Sequence, residues 1–185
     1  MKKYYTIDIS NYFNHKMMFD PGKEIDICDD KEGVMGIGVF DKRFQFEQAD
    51  KIIKGIRYKL NGSKSRYDNL ISNRQEIDIN IKTKKIKEIS ILGFNEFGSY
   101  RDDIILVSGN ERIKKSILFY QLSENIESLY ECDKSDRCNI AFSAKSNGFA
   151  KIHYYYTIVH VDSHLDRIIL PNNIEMHIAA ITAVV

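Results

Sequence analysis

The sequence has no tryptophan, only two prolines and three cysteines among its 185 residues. An odd number of cysteines, in a chain that shows no leader, makes a disulfide framework unexpected. No run of about 18 apolar residues occurs, which excludes a membrane-spanning helix. After Met1 the first residues alternate polar and apolar, unlike a signal peptide, so we expect a cytoplasmic protein unless another export route operates.

An excess of charge of one sign is also missing. Lysine and arginine number 27 against 26 acidic residues, for a formal net charge of +1. The net charge of the molecule therefore gives no electrostatic attraction to nucleic acid or to an anionic membrane. The basic run Lys82–Lys87 contains no aromatic residue and is interpreted as a solvated hairpin loop. We expect no nucleic-acid partner.

Alternation of apolar and polar residues with a period of two dominates the chain. Ile77, Ile79 and Ile81 share one face, and a second alternating stretch precedes the turn dipeptide Asn61-Gly62. In that stretch we expect Ile52, Ile56, Tyr58 and Leu60 to share a face. Further strands are predicted at 3–9, 24–28, 34–40, 86–94, 103–107, 113–120, 138–143, 149–161, 165–170 and 174–183.

Helical patterns are weak and confined to Phe44–Lys54 and Ser123–Tyr130. Many short strands without helical crossovers indicate a sandwich or barrel. We find no linker, repeat or low-complexity segment. The sequence therefore predicts one all-β domain over residues 1–185.

Four motifs in register resemble the C-terminal β-sandwich modules of some bacterial glycoside hydrolases. They are Ile7–His15, Tyr67–Gln75, Ile91–Tyr100 and Ile168–Thr182, with the core patterns IDISNYFNH, YDNLISNRQ, ILGFNEFGSY and the closing LPNNIEMHIAAIT. The resemblance implies a galactose-binding-like jelly roll and, more loosely, a carbohydrate ligand; function inferred from a fold is analogy. The stretch Gly33–Phe40 lacks the proline that the family carries there.

Several motif residues also have a structural interpretation. The glycines of the Leu-Gly motif suit a strand that bends and lets another backbone approach. Leu170-Pro171 ends a strand, after which Ile174, Met176 and Ile178 alternate, with Glu175 and His177 on the other face. Asp68 and Asn69 either bond backbone groups in a turn or contact a ligand.

No catalytic constellation emerges from the sequence. There is no GxSxG elbow. The strand and turn predicted around His153, His160 and His164 do not bring these side chains together as metal ligands. Cys132 and Cys138 bracket a polar turn; reduced thiols are expected, with a redox-dependent bond or a zinc pair as alternatives. We predict no enzyme and no cofactor, although an acidic loop at Asp29-Asp30 or Asp102-Asp103 leaves room for a structural calcium ion.

Sugar recognition requires an aromatic face beside planar hydrogen-bonding groups. Two predicted loops, 12–15 and 95–102, combine them, although Tyr12, Phe13 and Phe97 fit equally well as core residues. Tyr154 and Tyr156 provide an alternative platform. The residues predicted to contact a ligand are Tyr100, Arg101, Asn14, His15, Asn95, Asp68 and Asn69.

These observations favour a non-catalytic, lectin-like module that binds carbohydrate. The alternative is a structural or assembly subunit that uses the same sandwich faces for a protein partner, with sugar binding lost. The two hypotheses differ in what the exposed aromatic residues contact.

Overall fold

A computed structural model describes residues 2–21, 38–79, 81, 85–123, 138–146 and 151–185. Within these ranges the chain forms strands joined by turns, and two short 3-10 turns occur at Ser10–Tyr12 and Lys42–Phe44. The strands are β1 (Tyr4–Ile7), β2 (Met18–Phe19), β3 (Val39–Phe40), β4 (Gln48–Ile53), β5 (Ile56–Asn61), β6 (Leu70–Asn73), β7 (Glu76–Asp78), β8 (Ile86–Asn95), β9 (Tyr100–Ser108), β10 (Glu111–Phe119), β11 (Cys138–Ala144), β12 (Ile152–Ser163), β13 (Arg167–Ile169) and β14 (Asn172–Val184).

The central sheet has the order β1-β14-β8-β12-β11, and β6 also pairs with β14. A second sheet has the order β10-β9-β13-β7, and β4 and β5 form a separate hairpin. These pairings are antiparallel, whereas β2 and β3 form a short parallel pair. The predicted all-β fold is confirmed, with a sandwich-like arrangement of sheets. The jelly-roll topology stays a prediction.

Both faces of the central sheet are covered along β8 and β14. On one face Tyr58, from β5, is hydrogen-bonded through its hydroxyl to Ser90 Oγ at 2.5 Å. On the other face Tyr155 donates its hydroxyl to the carbonyl of Gln121, just after β10, at 3.1 Å. Because neither face meets solvent there, Met176–Val184 is buried without alternation. The alternation of Ile174, Met176 and Ile178 with Glu175 and His177 therefore does not separate buried from exposed residues beyond Met176.

Close approach of two backbones explains a glycine in β8. A Cβ on Gly93 would lie 2.2 Å from the carbonyl oxygen of His177 on β14. The two strands lose their regular register at this point, between Ile178 and Ala180. Any side chain at position 93 would force the strands apart. The role that the sequence assigned to the first glycine of the Leu-Gly motif is confirmed.

The region of the β4–β5 hairpin corrects two expectations. The segment 44–54 contains β4 instead of a helix. The chain reverses at Lys54 and Gly55, whose φ angles are +52° and +79°, so the stretch 52–60 belongs to two strands and not to one. Ile52 therefore lies before the turn and is 75% exposed, whereas the later members of its expected face are buried: Ile56, Tyr58 and Leu60. The turn predicted at Asn61-Gly62 is present: β5 ends at Asn61, and the Ser65 nitrogen donates to the Gly62 carbonyl at 3.1 Å.

Several expectations fall outside the described residues. They include the strand at 24–28, Asp29-Asp30, most of the stretches 34–40 and 123–130, and the cysteines Cys28 and Cys132. Cys138 is buried in β11, so the state of the three thiols stays a prediction. In the ranges that the structure covers, no helix is long and apolar enough to cross a membrane.

Candidate functional site

The turn between β8 and β9 lies at one end of the central sheet. Gly98 has a φ of +72°, and Ser99 Oγ accepts a hydrogen bond from the backbone nitrogen of Gln121 at 3.0 Å. Tyr100 and Arg101 were expected in a loop, but they begin β9 and pair with Phe119 and Leu118 of β10. The turn is therefore held by strands on both sides.

Large apolar side chains are exposed at this turn. Phe97 is 60% exposed, Tyr100 44% and Ile174 68%. The backbone nitrogen of Glu96 donates to the carbonyl of Glu175 at 2.9 Å, so the turn and the start of β14 are backbone neighbours. We call Phe97, Tyr100 and Ile174 the turn patch. Exposed apolar side chains grouped at one end of a molecule are typical of a binding surface.

Tyr100 has a defined position in the turn patch. A Cβ on Gly98 would lie 3.0 Å from both Cζ and Oη of Tyr100, so the ring lies against the Gly98 backbone. Arg101 follows it and is exposed. Tyr100 and Arg101 supply the two kinds of group expected for sugar recognition at one end of β9, on opposite sides of the strand, because consecutive strand residues project to opposite faces.

Four predicted ligand residues are instead buried. Asn95 donates Nδ2–H to the Phe119 carbonyl at 2.6 Å and is fully buried, as are Asp68, Asn69 and His15. Asp68 accepts backbone hydrogen bonds at Oδ2 from Met17 at 3.0 Å and from Met18 at 2.8 Å. These contacts favour the structural interpretation of the four residues. Their assignment to a ligand site stays a prediction.

Asn69 connects two histidines inside the molecule. Its Nδ2 donates to Asp68 Oδ1 at 2.8 Å, which leaves its Oδ1 as an acceptor. His15 Nδ1 lies 3.0 Å and His177 Nδ1 2.9 Å from that oxygen. Both rings must therefore carry their proton on Nδ1. We call His15, Asp68, Asn69 and His177 the buried polar cluster.

The buried polar cluster extends to the turn through Glu96. His177 Nε2 lies 3.4 Å from Glu96 Oε2. Burial lowers the pKa of His177 to about 3, against a smaller opposing effect of the Asp68 charge. Burial raises the pKa of Glu96, partly offset by His15. A neutral His177 with its proton on Nδ1 leaves Nε2 as an acceptor, and in the described part of the chain that buried nitrogen has no hydrogen-bond partner.

Asn14 is the remaining predicted ligand residue, and it is exposed. Its Oδ1 accepts a hydrogen bond from the Ile71 nitrogen at 2.9 Å, and Ile71 pairs with His177 in the sheet. Asn14 is thus linked to the turn by a chain of contacts through His177 and Glu96. The structure brings Asn14, Tyr100 and Arg101 to the surface and places the other four residues beneath it.

The known proteins supply no further assignment. The sequence matches no protein-family model and no curated protein. The properties of the site therefore have to be inferred from its own geometry.

The other candidates from the sequence lie elsewhere. Tyr154 and Tyr155 are buried and Tyr156 is half-buried, so the tyrosine run is mostly core. Asp102 and Asp103 belong to β9 and not to a loop; Asp102 accepts from Asn173 and Asp103 pairs with Lys114. Among the residues with described positions, no group of three or more histidine, cysteine or acidic side chains could hold a metal ion.

Two features of the turn patch were not predictable from the sequence. Phe97 fitted a core position as well as a surface one, and Ile174 was expected to share a face with Met176 and Ile178. Alternation could not reveal their exposure, because Phe97 lies in the turn after β8 and Ile174 precedes the buried part of β14, which begins at Met176. Glycine at 98 followed by a serine was the available signal that this turn projects.

Proposed function

We propose that the protein is a non-catalytic carbohydrate-binding module and that the turn patch, with Arg101, is its binding site. The observation that carries the proposal is an exposed aromatic pair, Phe97 and Tyr100, on a turn anchored by two strands. Carbohydrate rings present apolar C–H faces that stack on exposed aromatic rings, and their hydroxyl groups bond to planar polar side chains.

Each component of the turn patch has a separate role in this proposal. Tyr100, supported from beneath by Gly98, provides a ring whose orientation is set before binding, so less conformational entropy is lost. Arg101 donates hydrogen bonds to ring or glycosidic oxygens. Stacking on one ring contributes on the order of 1 kcal/mol beyond area burial, which predicts weak binding of a single sugar unit.

Binding of a protein partner is the second candidate. The exposure of Ile174 favours it, because an aliphatic side chain adds apolar area without the flat face that a sugar needs. Both functions would use the turn patch, but they weight its members differently. Sugar binding depends on Tyr100 and Arg101. A protein contact depends on Phe97 and Ile174 as much as on Tyr100.

A glycan array followed by titration calorimetry tests the proposal. We expect Tyr100→Ala and Arg101→Ala each to lower the affinity for a glycan identified on the array several-fold, with little change in thermal stability. Ile52→Ala and Arg57→Ala are the matched controls, since both residues are exposed on the β4–β5 hairpin. The protein-contact function would be established instead by two results together. The array would show no bound glycan, and native mass spectrometry would find the wild type as a dimer and Ile174→Asp as a monomer.

A further inference from the structure

A second concave surface lies between the Ser10–Tyr12 turn and the β4–β5 hairpin. It encloses about 470 Å³ and shares no lining residue with the turn patch. We call it the hairpin cleft. The residues lining it that matter here are Phe13, Glu47, Gln48, Asn61, Arg66 and Tyr67. Its volume falls within the range of small-molecule sites.

Hydrogen bonds fix the polar wall of the hairpin cleft. Gln48 Nε2 donates to Asn61 Oδ1 at 3.1 Å, and Asn61 Nδ2 donates to the Tyr67 carbonyl at 3.0 Å. The buried ammonium of Lys16 donates to the carbonyls of Ser63 at 3.0 Å and Ser65 at 2.8 Å, which anchors the loop between Asn61 and Tyr67. The wall is therefore formed before any ligand arrives, which lowers the entropy lost on binding.

An aromatic surface forms another part of the cleft. Tyr67 is half-buried, and the Arg66 guanidinium lies 5.1 Å from the centroid of its ring. Phe13 lines the cleft from a buried position. A half-buried tyrosine offers apolar ring area to a ligand and is held in place by the protein on its other side.

Two opposite charges line the hairpin cleft. Glu47 supplies a carboxylate and Arg66 a guanidinium group. Neither side chain forms a hydrogen bond or an ion pair with another residue in the described part of the chain. Hydroxyl groups can donate to the carboxylate and accept from the guanidinium at once, and the two opposite charges give the cleft no net preference for an anion or a cation.

We propose that the hairpin cleft is a second binding site, for a neutral mono- or disaccharide, independent of the turn patch. Its evidence is separate: a fixed amide pair, a half-buried aromatic ring and two balanced charges around one concavity. It does not depend on glycan binding at the turn. If both sites bind, the domain is bivalent, and one chain can then hold a branched or repeating glycan with greater avidity than either site alone.

Nuclear magnetic resonance of the full ¹⁵N-labelled chain tests the hairpin cleft. The probes are cellobiose, lactose, maltose and diacetylchitobiose, with glucosamine and galacturonate as cationic and anionic comparators. We expect at least one neutral disaccharide to shift the backbone amides of Asn61, Arg66 and Tyr67 in a saturable way. Tighter binding of either charged comparator at these amides, or no saturable shift with any neutral probe, would overturn the proposal.

Variants separate the two sites. Arg66→Ala should lower the affinity for the saccharide that shifts the cleft amides by at least five-fold. Lys64 is an exposed neighbour that does not line the cleft, so Lys64→Ala should leave that affinity unchanged. Arg66 is exposed, so this variant should fold, and its spectrum checks that directly. Tyr100→Ala should leave cleft binding unchanged. Equal affinity in Arg66→Ala and Lys64→Ala would refute the cleft site, whatever the outcome at the turn patch.

Discussion

His15 and His177 share one hydrogen-bond acceptor, the Oδ1 atom of Asn69, at 3.0 and 2.9 Å. Their ring centroids lie 4.6 Å apart, edge to face, and the His177 ring also stacks on Phe94. The shared oxygen joins the segment after the first turn to the last strand of the central sheet. Sharing it requires a proton on Nδ1 of both rings. Because burial lowers the pKa of His177, the buried polar cluster couples the fold to pH.

Stability should fall as the pH drops from about 6.5 towards 3. Burial lowers the folded-state pKa of His177 to about 3, whereas in the unfolded chain it stays near the ordinary 6.5. Between these values the unfolded state binds the proton and the native state does not, so acid favours unfolding by up to a few kcal/mol. Urea unfolding at a series of pH values measures this slope.

His177→Gln should flatten that pH dependence, because the glutamine side chain does not titrate. His160→Gln is the matched control, since His160 is exposed beside Glu88. A smaller slope remains from His153, whose pKa burial also lowers. An unchanged slope in His177→Gln would show that another group controls the acid response.

Replacing the buried Asp68 should be among the most destabilising substitutions in the chain. It accepts two backbone N–H groups and lies 3.4 Å from the buried Lys16 ammonium. Asp68→Ala leaves those donors buried without an acceptor, which should cost about 3–5 kcal/mol. Asp50→Ala, which removes an exposed partner of Arg57, should cost about 1 kcal/mol or less. Denaturant melts that rank the two variants equally would contradict this role.

Sequence periodicity predicted most of the strands but not their ends. The stretch 86–94 corresponds to β8, Ile86–Asn95, because its isoleucines are buried against a second layer. In contrast, β9 begins at Tyr100, before the expected residue 103, because pairing with β10 carries polar Arg101 and Asp102 into the sheet. Backbone hydrogen bonds to a neighbouring strand can extend a strand beyond its apolar residues. The sequence of the strand itself does not show which neighbour it will pair with.

The site was predictable in part for a similar reason. Tyr100 and Arg101 could be chosen because a Gly-Ser turn precedes them, which is a local signal. The burial of His15, Asp68 and Asn69 follows from contacts between segments that are distant in the chain. A polar residue can be buried wherever its partners reach it, so residue type alone left a structural role and a ligand contact both open for Asp68 and Asn69.

Gly93→Ala should strongly destabilise the central sheet. The new Cβ would lie 2.2 Å from the His177 carbonyl, and backbone atoms in paired strands cannot move aside without breaking the pairing. Gly55→Ala is the comparison: its φ of +79° carries strain, but no atom lies within 4 Å of the added carbon. We expect thermal unfolding to show the larger loss for Gly93→Ala; a smaller loss would mean that β8 and β14 separate easily.

Gly98→Ala should weaken glycan binding by displacing Tyr100, a prediction that depends on the proposed function. The added carbon would lie 3.0 Å from Cζ and Oη of Tyr100, so the ring has to shift. Gly109→Ala shares the backbone strain, with a φ of +56°, but no atom lies within 4 Å of the added carbon. Both variants should lose about 1–2 kcal/mol of stability from the left-handed backbone.

Only Gly98→Ala should also lower affinity, because it alone changes the ring that stacks on the sugar. Titration calorimetry with a glycan that binds the wild type measures the difference between the two variants. Tyrosine ring resonances should shift in Gly98→Ala and stay unchanged in Gly109→Ala, which reports the displacement without any ligand. If the ring resonances shift while affinity stays equal in both variants, Tyr100 does not contact the sugar, and the site at the turn patch is refuted.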